Sequence, residues 1–314
     1  MTSPFARLRL ASRLDGDAAL LLRRCVFADD AVTTDEVRAL IGLARAVPEA
    51  DTPFVQFYCE AITDWAARQR EPEGYVSEET GRALVTMLGE PGETTALERR
   101  ALTHLCAQAR SVPDMLVAHA LLASRAGALG AGAVDAETVQ GLRQLIYAAG
   151  GAGRIGVTRA EAELLFDVND AAGPASDAAW PEFFAQAIAA YLFSHAGYAA
   201  PDRAEALRLD RFVNAPGGLR LGAQRGGPGF ARTLWHGLTG HDAAEAFRAE
   251  LATERARLAE EAAVLTDAEV AWLATRISRD GAVCAAEQAL IARVRALAVE
   301  HGQALPAAVS ALAG

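Results

Sequence analysis

Lysine is absent from this sequence: all 30 basic residues are arginine, set against 40 acidic residues for a net charge of −10. An acidic surface without clustered cations cannot track phosphates, which excludes nucleic acid as an expected partner. The arginine-only usage reads as the codon signature of a GC-rich, bacterial-type genome. Aromatic residues make up only 6%, and long β-branched runs are missing. Four cysteines, Cys25, Cys59, Cys106 and Cys284, form no CxxC pair, which argues against a zinc ribbon or redox dithiol and for reduced thiols. No apolar run reaches the length of a membrane span, and Asp15 and Asp17 interrupt the leucine-rich stretch near the start, so no secretory h-region is expected. The expectation is a cytoplasmic protein without a transmembrane segment.

What is present is alanine, leucine, arginine and glutamate within a 52% hydrophobic composition. These residues lose little rotamer freedom in a helix, so an all-α fold is expected. Residues 32–65, VTTDEVRALIGLARAVPEADTPFVQFYCEAITDW, align with 157–191, VTRAEAELLFDVNDAAGPASDAAWPEFFAQAIAAY, with one insertion near Gly173. Thr33 and Glu36 match Thr158 and Glu161, each a capping box in which hydroxyl and carboxylate satisfy first-turn amides. Phe54, Phe57, Tyr58, Ala61, Ile62 and Trp65 pair with Trp180, Phe183, Phe184, Ala187, Ile188 and Tyr191, a helical spacing that predicts two matching buried stripes. An offset of about 125 residues is too long for a solenoid and predicts two pseudo-repeated multi-helix lobes.

Further helix starts are expected at Ser77, Asp135, Thr266 and Val283, and further helices over 95–109, 112–123 and 242–261. The expected organisation is a first lobe over 1–128, a second over 129–213, a glycine-rich linker over 214–230, and C-terminal helices over 231–314.

The segment Asp29-Asp30-Ala31-Val32-Thr33-Thr34-Asp35-Glu36 resembles the second half of an EF-hand loop, with Glu36 at the final ligand position. Cys25 and Phe27 then stand at the first and third ligand positions, where calcium needs hard oxygens. The loop Asp280-Gly281-Ala282-Val283 followed by Glu287 also resembles the TerB-like tellurite-resistance family, a resemblance that implies a compact bundle with acids near a metal site. The stretches VTRAEAELLFDVNDA and AWLATRISRDGAV are similar to uncharacterised bacterial proteins of this length, which implies no particular activity.

Asp167, Asn169 and Asp170, followed by Asp177, are dense enough in oxygen ligands to hold a divalent cation, although solvated acids and an N-cap at Asp177 account for them too. The stretch 151–156 has the G-x-G-x-x-G form, but helical spacing before it predicts an interhelical turn instead of a dinucleotide site. His104, His236 and His241 lack the additional ligands of a zinc site and read as surface or core histidines. No catalytic motif and no resident cofactor is read from the sequence. The leading expectation is a non-enzymatic binding or scaffold protein with a protein partner. Second comes a divalent-metal-responsive protein, and third an enzyme with a dispersed site drawing on His195 and His236.

Overall fold

A computed structural model describes residues 4–28, 31–69, 71–147, 157–173, 175–193, 265–277, 279, 282–300 and 302. The glycine-rich span 214–230, the expected helix over 242–261, the 151–156 turn, Asp29, Asp280, His195, His236 and His241 lie outside the described residues. Among the described residues there are twelve α-helices and no strand. They are α1 (Pro4–Leu8), α2 (Gly16–Val26), α3 (Thr34–Ala46), α4 (Thr52–Thr63), α5 (Glu78–Leu88), α6 (Ala96–Gln108), α7 (Asp114–Ala131), α8 (Ala136–Tyr147), α9 (Arg159–Ala171), α10 (Trp180–Phe193), α11 (Asp267–Ile277) and α12 (Ala285–Glu300). The fold is all-α, and no described helix is long and apolar enough to cross a membrane.

Capping chemistry sets where these helices begin. Thr33, Thr95 and Thr158 each close a full capping box, with Glu36, Glu98 and Glu161 returning a carboxylate to the cap amide. These threonines fall 62 and 63 residues apart, so the device first seen at 33 and 158 also occurs midway between them. The loops cross in the same way each time. Leu14, just before α2, bridges Ala50, just before α4; Tyr75, before α5, bridges Ser111, before α7. Before α8 and α10, the Asp177 amide donates to the Val134 carbonyl at 2.7 Å. A backbone contact between the loop before the first helix and the loop before the third is thus present in each of the helix trios α2–α4, α5–α7 and α8–α10.

The aromatic stripes expected on α4 and α10 are buried throughout. Their surroundings match closely. Phe27 meets Phe57 edge-on at 6.4 Å, and Tyr147 meets Phe183 edge-on at 6.5 Å, both at 77°. Arg23 lies over Phe57 at 5.8 Å, and Arg143 over Phe183 at 5.3 Å. In the middle trio the position of Phe57 is taken by His119, which is buried and within 3.4 Å of the Thr94 hydroxyl. Each fully buried aromatic contributes roughly 1.5–3 kcal/mol by leaving water, so α4 and α10 carry much of the core's driving force.

Helix α4 ends in a π-turn, Asp64–Arg68, that turns Trp65 inward, where its indole donates to the Thr34 hydroxyl at 3.3 Å. The next residue, Gln69, accepts from the Val32 amide at 2.9 Å and so ties the end of α4 to the loop before α3. Helix α7 runs to Ala131, past the expected stop, because RAGALGA is rich in alanine and the helix ends only where Gly132 adopts a left-handed conformation at φ 64°.

Candidate functional site

The acids singled out on α9 are ion-paired with arginines. Asp167 receives Arg276 at 2.9 Å, Arg125 at 3.1 Å and Arg279 at 3.2 Å, and Arg279 also reaches Asp170 at 3.2 Å. Partial burial works against ionisation of Asp167, but the Arg276 hydrogen bond and the charges of Arg125 and Arg279 outweigh it and hold its carboxyl below the usual value. Asn169 turns into the core instead, accepting from the Trp180 indole at 3.1 Å and donating to the Cys284 sulfur at 3.4 Å. Asp177 accepts from the Ala179 amide at 2.8 Å. Hence Asp167 and Asp170 share one arginine cluster, while Asn169 and Asp177 serve other purposes. Among the described residues no group of three or more His, Cys, Asp or Glu side chains is placed to hold a metal ion.

The glutamates at the last position of the EF-hand-like loops are similarly committed. Glu36 accepts from the amide and hydroxyl of Thr33, and Glu287 from the Cys284 amide. The thiols of Cys59 and Cys106 are pushed up to about 11 and about 12 by burial, which keeps them protonated and unreactive at neutral pH.

A cleft of about 430 Å³ opens between α6 and α8, a size within the range of ligand sites. Its lining on α6 recurs at helical spacing, with Arg99, Arg100, Thr103, His104, Ala107 and Gln108. Helix α8 contributes Glu137, Gln140, Gly141 and Gln144. The salt bridge from Arg100 to Glu137 at 3.1 Å and the approach of Gly141 to Thr103 show that the two helices run side by side in the same direction. A Cβ on Gly141 would sit 3.6 Å from the Thr103 hydroxyl, an ordinary contact, so the missing side chain keeps the floor low without being required for packing.

His104 is positioned from behind. Its Nδ1 lies 3.1 Å from the Thr63 hydroxyl on α4, and its ring lines the cleft. Burial, followed by the charge of Arg68, lowers its pKa, so the ring is neutral at physiological pH and offers an acceptor or a donor according to tautomer. Gln108, Gln140 and Gln144 have no side-chain hydrogen bond within the described part of the molecule.

In the sequence His104 reads as a surface or core histidine, and the arginines and glutamines of α6 and α8 carry no distinguishing signal. Their polar spacing along α6 and α8 is that of any solvated helix face, and only the packing of the two helices makes it a cleft. Compared with protein-family models, with curated proteins and with solved structures, the chain finds no match.

Proposed function

We propose that this chain is a helical binding protein that receives an extended segment of a protein partner in the cleft between α6 and α8. The observation that carries this reading is a cleft between two parallel helices whose lining includes Gln108, Gln140 and Gln144, amides that make no hydrogen bond to other described residues and so are available to a ligand. From Ala96 to Gln108 the α6 wall runs roughly 18 Å at the helical rise, enough for about five residues of extended chain. A peptide leaving water must find partners for its own N–H and C=O groups, and a primary amide supplies two donors and an acceptor. Neutral His104 adds one more partner without a charge to desolvate.

The alternative, a metal-responsive protein built on Asp167 and Asp170, would require a cation to displace three guanidinium groups from those carboxylates, so the cleft is the better-supported site. The test is fluorescence anisotropy of the full chain with a labelled random hexapeptide pool. Gly141→Leu, which fills the floor of the channel, is expected to lower affinity at least about tenfold while Gly141→Ala leaves it unchanged. Equal binding by both variants and the parent chain rules the cleft out.

A further inference from the structure

Charge within the cleft is unevenly spent. Arg100 is paired with Glu137 at 3.1 Å, and the Asp135 carboxylate holds the Thr138 amide at 2.7 Å as the cap of α8. Arg99 is different. Its guanidinium donates to the Thr94 carbonyl at 2.8 Å and lies where a side chain on Gly127 would be, since a Cβ there would come within 2.7 Å of the guanidinium carbon. No carboxylate of the described residues forms an ion pair with it, and Asp135 feels Arg99 only as the weakest of the influences on its pKa. The glycine thus makes room for a half-buried cation, held by one backbone carbonyl, on a residue that lines the cleft. A guanidinium so placed is incompletely solvated and presents a planar fork that matches a carboxylate.

We infer that Arg99 receives a carboxylate of the bound segment, so that the cleft selects an acid-bearing peptide over a neutral one. This rests on the reading of the cleft as a peptide site. The carboxylate comes from an acidic side chain or from a free chain terminus, and both present the same fork-shaped partner.

The experiment uses the full chain and three hexapeptide pools built from alanine, serine, leucine and valine, each labelled at its N-terminus with an uncharged coumarin. One pool carries a central glutamate and an amidated end, one a central glutamine and an amidated end, and one a central glutamine and a free end. At least one acid-bearing pool is expected to bind about tenfold more tightly than the amidated glutamine pool, the scale of a charge-assisted bidentate contact. The first pool outranking the third assigns the group to a side chain, and the reverse order to the terminus. Arg99→Gln is expected to erase the preference, bringing the acid-bearing pools to the affinity of the amidated glutamine pool. Arg99→Lys, which keeps the charge but loses the fork, is expected to retain only part of it.

Equal affinity for all three pools, or a preference that survives Arg99→Gln, overturns the assignment of Arg99 while the cleft reading stands. Failure of every pool to bind overturns both.

Discussion

Asp167 and Asn169 sit two residues apart on α9 yet face different chemistry, which is why composition alone could not separate them. Arg276 is the most deeply placed of the Asp167 partners, its side chain only 12% exposed. Asp167→Asn removes the nearer of the two carboxylates at that guanidinium, leaving Glu163 at 3.4 Å, and is expected to cost about 1–2 kcal/mol in urea unfolding, the scale of a lost charged hydrogen bond. A loss below about 0.5 kcal/mol would mean the cluster is solvated like an ordinary surface pair. The histidines give a pH signature of their own. Burial lowers the pKa of both His104 and His119 in the folded chain below the unfolded value near 6.5. Protonation therefore favours unfolding: both contributions are complete above about pH 6.5 and are lost as pH falls below it towards the depressed folded values. The melting temperature is expected to drop between about pH 7.5 and 5.5, and His104→Asn combined with His119→Gln is expected to flatten that slope. A slope unchanged by the double substitution would assign it to other groups.

Capping boxes of the same sequence form differ in weight once the helices are packed. Glu36 caps α3 in an exposed setting, whereas Glu98 is fully buried and also receives Arg45 at 2.6 Å, a tie between α3 and α6. Glu36→Ala is expected to cost about 1 kcal/mol and Glu98→Ala about 3, because only the second breaks a buried ion pair. Comparable losses by thermal or urea unfolding would show that the cap alone matters at both places. The caps and the stripes of α4 and α10 were legible because capping boxes and aromatic periodicity are short-range signals. The likeness of the middle trio's loop contacts was not legible, since His119, Ala120 and Ser124 stand 62 residues after Phe57, Tyr58 and Ile62, and matching a stripe requires the aromatics. The cleft was illegible for another reason: Arg100 and Glu137 meet across 37 residues, a pairing that no local pattern encodes.

Across the whole molecule, the last two described helices are built into the core of the third trio. Helix α12 packs along α10, and α11 meets α9 through Trp272 and Arg276. The Trp272 ring meets Phe166 at 5.5 Å and Tyr191 at 5.1 Å, lies under the Arg159 guanidinium at 4.4 Å, and donates its indole N–H to Glu163 at 2.6 Å. Those partners all come from α9 and α10, about 80 to 110 residues earlier in the chain. A contact of such long sequence separation stabilises only the folded state, so its loss should be felt by the whole cooperative unit. Trp272→Ala is expected to cost about 4 kcal/mol, as for other large buried aromatics, and to lower a single unfolding transition. Trp272→Phe keeps most of the ring contacts and loses the hydrogen bond to Glu163, so its cost is expected near 1–2 kcal/mol. Calorimetry decides between one cooperative body and a dockable extension. If Trp272→Ala splits the transition, with a low-temperature step and an unmoved main peak, then α11 and α12 are an independently melting addition to α8–α10 instead of part of the core.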